Sequence, residues 1–182
     1  MVIETERLIL RYWTYDDVDD IVEGLNNLNV SKWLGRVPYP YTKEDAKEFI
    51  KRSIDTKAYN FAIVLKENNK VIGGTQISNI DTFNGVAGGG IWLNEQYHGH
   101  GYGTEAWNAR IKYAFETLDL RKLENGYFKG NEASHQMQLK CGYKDEGLRR
   151  AKYIALSTGK IEDECITGLL KEEWIEKTNQ DS

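Results

Sequence analysis

A chain of 182 residues and 20.9 kDa is the size of one ordinary domain; folding buries about 70% of its surface, so it needs neither disulfides nor a structural metal. An apolar fraction of 40%, with 5 Trp, 11 Tyr and 5 Phe, excludes a disordered chain. The 24 Lys plus Arg against 28 Asp plus Glu leave a net charge of −4, which argues against nucleic acid as the main partner and suits a small cationic substrate.

In chain order, residues 8–13 read as a strand. Thr14 is an N-cap, Asp16 and Asp17 favour the positive end of the helix that follows, and Val18, Ile21, Val22 and Leu25 form its apolar stripe. Pro38 and Pro40, the only prolines, mark a stiff loop. Thr42 repeats the capping pattern with Glu44 and Asp45, ahead of Ala46, Phe49, Ile50 and Ile54 at helical spacing. The period then changes. Residues 61–65 and 71–77, around a turn at Asn68-Asn69, form an antiparallel hairpin, and a third strand at 89–93 follows the loop carrying Asp81, Asn84 and Gly85.

Residues 103–118 are the strongest helix, with Trp107, Ile111, Ala114, Phe115 and Leu118 on one face and Asn108, Arg110 and Lys112 off it. A strand at 123–128, a short helix at 133–140 ended by Gly142, and strands at 143–156 and 164–170 complete the chain. The sum is α+β: two early helices, a mostly antiparallel sheet, and a long helix crossing between strands. No linker, repeat or low-complexity stretch divides it, so residues 1–182 are expected to form a single domain.

Cys141 and Cys165 stand alone, without zinc-ligand spacing, which suits a reducing compartment. The first residues alternate charged and apolar types rather than forming a signal peptide, and no apolar run approaches the ~18 residues of a membrane span. A cytoplasmic protein, monomeric or homodimeric, with no membrane or nucleic-acid partner and no metal, is the expectation.

One segment stands out: His98-Gly99-His100-Gly101-Tyr102-Gly103-Thr104, between a strand and the strongest helix. Alternate glycines let the backbone turn tightly, and the unpaired amides of the helix start make a cradle for phosphate or pyrophosphate. A flexible turn before a helix reads the same glycines equally well. The dinucleotide fingerprint fails because Thr104 stands where its last glycine belongs, and in the stretch Gly142 to Gly147 the nucleotide-triphosphate loop fails because Leu148 replaces its lysine. His98 and His100 lack a third ligand nearby and read as turn residues rather than a metal site.

The run from Tyr97 to Ala106 resembles the acyl-CoA loop of the GNAT acetyltransferase superfamily, Gln/Arg-x-x-Gly-x-Gly/Ala. Three more blocks agree in order: Glu4-Thr5-Glu6-Arg7-Leu8 with Arg11; Asn131-Glu132-Ala133-Ser134 with Cys141-Gly142-Tyr143 and Glu146-Gly147; and Leu169 to Trp174. Together they resemble the RimJ/RimL-type branch of protein N-terminal acetyltransferases. The resemblance implies a sheet splayed between the strand ending at Leu93 and the one starting near Leu123. Acetyl-CoA would lie there as acetyl donor, its pyrophosphate on the segment His98, Gly99, His100, Gly101, Tyr102, Gly103 and Thr104. Its pantetheine would pair with Ile91, Trp92 and Leu93, and Asn131 would contact its arm.

The reaction so implied is direct attack of a primary amine on the thioester, needing a free amine, a stabilised oxyanion and a proton for the thiolate. Three departures from the family pattern bear on it. His98 replaces the leading Gln or Arg. The acid that some relatives carry on the preceding strand falls at Gly88-Gly89-Gly90. The tyrosine used by many as general acid is Gln138. Ser134 is then the candidate acid, or merely a helix cap, with Tyr153 as a second candidate. Asp81, Glu146 and Asp163 are carboxylates in suitable regions for a base, and a water chain serves as well.

Trp33, Tyr39 and Tyr41 either close over the acceptor or pack the proline loop. Asp16, Asp17, Asp19 and Asp20 either attract a cation or form a solvated face. A protein N-terminal amine is the acceptor the resemblance favours. The alternatives are a small amine (polyamine, amino acid or amine antibiotic), a non-catalytic acyl-CoA-binding module, and last a general phosphate-binding protein.

Overall fold

A computed structural model describes residues 2–56 and 58–180. Its strands are β1 (Val2–Glu4), β2 (Leu8–Tyr12), β3 (Tyr59–Leu65), β4 (Lys70–Asp81), β5 (Val86–Leu93), β6 (Lys122–Phe128), β7 (Lys144–Ile154) and β8 (Ile161–Leu170). The helices are α1 (Val18–Leu25), α2 (Leu28–Ser31), α3 (Lys43–Asp55), α4 (Tyr102–Glu116), α5 (Glu132–Lys140) and α6 (Lys171–Gln180). None of the described helices is long and apolar enough to cross a membrane.

The expected α+β architecture is present. The strands form one sheet in the order β1-β2-β3-β4-β5-β6-β8-β7, antiparallel everywhere except between β5 and β6. That parallel contact is minimal: only Val86↔Lys122 and Ala87↔Leu123 pair. Beyond them the strands part, and the sheet opens into the expected splay.

The local signals are realised with shifts. Thr14 caps a single turn at Tyr15–Asp17 that leads into α1, and the Asp17 carboxylate accepts the Thr14 amide at 2.9 Å while binding Arg11 through two bonds of 2.8 Å. Thr42 and Asp45 form the reciprocal capping box of α3. Three short or polar elements lie outside the sequence reading: β1, α2 and α6.

Two faces follow from the alternation of the strands. On one, Trp13, Trp92, Ala62 and Val64 pack beneath α1 and α3 through Ile21, Leu25, Ala46 and Ile50. On the other, Ala87 and Leu123 meet Trp107, Ile111, Ala114 and Phe115 of α4, and the N-terminal half of α4 covers Leu10, Ile63 and Ile72. One α4 residue departs from expectation. Arg110, read as lying off the buried face, is 0% exposed.

Candidate active site

The site begins with the free edge of β5. Residues 88–93 pair with β4 on one side and have no ladder partner on β6. Their side chains are absorbed by the two cores: Ile91 and Leu93 pack on the α4 side, while Trp92 stacks parallel to Trp13 at 6.4 Å. What faces the gap is backbone, the chemistry an extended amide-bearing ligand needs for strand-like pairing.

The glycine segment follows directly. Gly99 and Gly101 have φ of +77° and +81°, a left-handed conformation that an L side chain adopts only at a cost. Gly101 is the N-cap of α4, so the first-turn amides of that helix point out of the loop. The imidazoles organise the loop itself: His98 Nε2 donates to the Leu93 carbonyl at 2.9 Å, and His100 Nδ1 to the His98 carbonyl at 2.8 Å. Arg7 completes the cradle from outside, donating to the His100 carbonyl at 3.0 Å and lying 4.5 Å above the Tyr102 ring.

Glu105, an acid in the first turn of α4, would repel an anionic ligand were it not engaged. Burial pushes its carboxyl up, but bonds from Thr5 Oγ1 (2.6 Å), the Arg7 amide (2.8 Å) and Arg7 Nε (2.7 Å) outweigh this and hold it below the usual carboxylate range. The opening Thr5-Glu6-Arg7 block is thus a strap that fixes the loop. These features fit an acyl-CoA pyrophosphate and pantetheine.

On the α4 side of the sheet, α5 packs against α4. Asn131 caps α5 and accepts the Ser134 amide at 3.3 Å. Ser134 Oγ accepts from Gln138 Nε2 at 3.0 Å, and Gln138 Oε1 in turn accepts the Thr167 hydroxyl. Gln138 is buried and spends both ends of its amide on this bridge. Its hydrogen bond into the Ser134 oxygen leaves the Ser134 proton free to donate. Met137, beside Ser134, lies close to Gly103 at the start of α4.

Across the sheet the chemistry is acidic. Glu164 on β8 sits opposite Phe128 in the β6 register, and its carboxylate lies over Gly126, filling the space a side chain there would occupy. It is 9% exposed and bound to Arg149 at 3.2 Å. Arg149 also meets Glu124 (3.3 Å), and Lys122 meets Glu124 (3.7 Å) and Glu146 (2.6 Å), so three carboxylates share two cations. Tyr153 packs on Phe128 with ring centroids 5.9 Å apart; burial and then the Glu164 charge push its phenol up. Tyr153 and Ser134 therefore approach from opposite faces and share no hydrogen bond.

The segment between α2 and the proline loop leans over this face. Leu156 N–H donates to the Gly35 carbonyl at 3.2 Å and Ser157 Oγ to the Ser31 carbonyl at 3.1 Å, latching the segment to the β7–β8 hairpin. Trp33 is half-buried beneath Lys32, whose ammonium lies 5.2 Å from its ring, and Tyr39 is exposed. Tyr41 is 5% exposed within the α1–α3 core, and burial pushes its phenol up to about 12, so it packs the loop.

Asp81 and Asp163 have local duties, accepting from Asn84 and from the Ala151 amide respectively. Glu164, next to Asp163, is the acid the sequence reading passed over; only the register of β8 on β6 distinguishes the two. Cys141 is buried, and burial pushes its thiol up to about 11.

A family model described as an acetyltransferase (GNAT) domain matches residues 7–144. The uncharacterized N-acetyltransferase p20 of Bacillus licheniformis is 30% identical, covering 93% of this chain and 96% of its own. Among solved structures, the spermidine N-acetyltransferase of Vibrio cholerae, in complex with CoA and spermine, superposes with a TM-score of 0.80 at 20% identity, covering 94% of this chain and 99% of that one. The ribosomal-protein-S5-alanine acetyltransferase of Vibrio fischeri gives 0.77 at 23% identity, over 96% and 98%.

Proposed function

Since the chain belongs to the GNAT acetyltransferase family, we propose that it transfers the acetyl group of acetyl-CoA directly to a primary amine, with a protein N-terminal amine as acceptor. The observation that carries this is the free backbone edge of residues 88–93, opening onto the left-handed Gly99 and Gly101 at the start of α4. Acetyl-CoA supplies the activated thioester; the chain's residues hold it and divide the proton traffic between the two faces of the sheet.

In this reading the donor lies along residues 91–93 with its pyrophosphate on the segment 98–104, and Asn131 holds the start of α5 beside its arm. Ser134 donates its free proton toward the departing sulfur as the carbon–sulfur bond breaks. From the opposite face, Glu164 and its neighbours Glu124 and Glu146 draw the acceptor in as an ammonium, which passes one proton through water to bulk solvent before its lone pair attacks. Trp33 and Tyr39 flank that entrance. Cys141, protonated and buried, takes no covalent part.

The same acidic wall suits a polycationic small amine, and this observation keeps that second reading alive. A test is the release of free thiol from acetyl-CoA across peptides with Ala or Ser N-termini and across spermine, spermidine and amino acids. Turnover on peptides with none on polyamines supports the protein acceptor. Turnover on polyamines alone replaces it with the small-amine reading.

A further inference from the structure

Arg110 is the largest charged side chain sealed among the described residues. Its guanidinium has no carboxylate partner; it lies 4.0 Å over the Trp107 ring, and the phenol of Tyr143 stands beside it without a regular hydrogen bond. Its Nε and Nη1 find no acceptor, and neither do the buried Trp107 Nε1 and Asn125 Nδ2. Burying an unpaired cation costs several kcal/mol, so a purely structural core would carry an apolar residue here.

The two bonds it does make explain its place. Nη2 donates to the Gly88 carbonyl on β5 at 3.1 Å and to Asn125 Oδ1 on β6 at 3.2 Å. Gly88 immediately follows the last β5 residue paired with β6, and Asn125 lies two residues beyond the last β6 residue paired with β5. The guanidinium thus stands where the ladder stops, taking up a carbonyl that a parallel neighbour would otherwise bind. The next position, Gly89, is closed to a side chain mainly by the Gln76 carbonyl, which a Cβ there would overlap, with Nη2 at 2.9 Å as a second contact.

We infer that Arg110 is a positioning residue for acetyl transfer, a clamp between Gly88 and Asn125 that fixes the width of the splay and the orientation of the free β5 edge on which the thioester must lie. Its role is exerted through the Gly88 carbonyl and the Asn125 side chain, with no contact to the reacting atoms.

Arg110→Met keeps the volume and removes both bonds, and as an apolar replacement for a buried charge it should fold with Tm unchanged or raised. Thiol release from acetyl-CoA, with spermine and an Ala-terminated peptide as acceptors, should show kcat down about 100-fold, the usual consequence of a misplaced reacting group. The KM for acetyl-CoA should change less than about threefold, because the loop and strap are untouched. Arg110→Lys, able to reach Gly88 alone, should recover part of the loss. In 15N-labelled protein, the shifts that CoA induces at the Gly89 and Gly90 amides should be lost in Arg110→Met.

The amide readout needs no turnover, so it separates failure of the clamp from choice of a wrong acceptor. Wild-type kcat in folded Arg110→Met, or an unaltered amide response to CoA, would overturn the inference. If Arg110→Met does not fold, the double variant Arg110→Met/Asn125→Leu, which also removes the orphaned Asn125 amide and leaves only the Gly88 carbonyl without its donor, decides by the same readouts.

Discussion

Replacing Glu105 by Gln tests the strap at the glycine loop. The carboxylate is 16% exposed at its side chain and accepts three hydrogen bonds, two of them from Arg7. Because the Arg7 side chain is 41% exposed, its charge–charge attraction to Glu105 is screened and counts for little. The hydrogen bonds carry the energy. An amide oxygen retains some of them, so the loss at pH 7 should be about 2 kcal/mol. For a chain of this size that is a fall in Tm of about 4–8 °C.

The pH dependence gives the sharper reading. Glu105 titrates below its ordinary value when folded, so its stabilisation is complete above the unfolded value of about 4.3 and disappears as pH falls through the folded one. Urea unfolding at pH 7, 5 and 3 should show wild type ahead of Glu105→Gln by a similar margin at the first two and by a clearly smaller one at the third. A gap below about 0.5 kcal/mol at pH 7, or one undiminished at pH 3, would refute the reasoning. The variant should also raise the KM for acetyl-CoA, since freeing Arg7 Nε loosens its hold on the His100 carbonyl.

Four further outcomes are expected. Gly101→Ala, forced to a φ of +81° with its new Cβ 3.3 Å from Arg7 Nη2, should cost about 1–2 kcal/mol in unfolding experiments and weaken CoA in titration calorimetry. Ser134→Ala should lower kcat about tenfold or more while CoA affinity holds; unchanged turnover would remove its role as proton donor. Glu164→Gln should raise the KM of the amine acceptor and leave that of acetyl-CoA unchanged, a split that steady-state kinetics resolves. Cys141, with its thiol pushed up to about 11, should resist iodoacetamide at pH 8 in the native protein and react on unfolding, as peptide mass mapping would show.

The elements that carry their own local chemistry were legible in the sequence. The caps at Thr14 and Thr42 bond within three residues of themselves, and the glycine loop needs backbone conformations that glycine alone adopts readily. Elements fixed by distant contacts were not. The three residues of β1 and the four of α2 are too short for a period, and α6 continues from β8 with no turn residue between Leu170 and Lys171. The choice between Asp163 and Glu164 depends on which of two adjacent side chains faces the splay, a matter of strand register that no single segment encodes.

Arg110 was a different failure. It lies three residues after Trp107 and four before Ala114, on the buried stripe by spacing, and only its charge placed it among the solvated residues. Helical periodicity reports where a side chain points, while residue type reports what its burial costs, and here the two disagree. The conflict resolves at Gly88 and Asn125, where β5 and β6 stop pairing and leave polar groups that a wholly apolar helix could not satisfy. A sheet that parts creates that need at the root of the opening, and here a charged residue on an otherwise apolar stripe meets it.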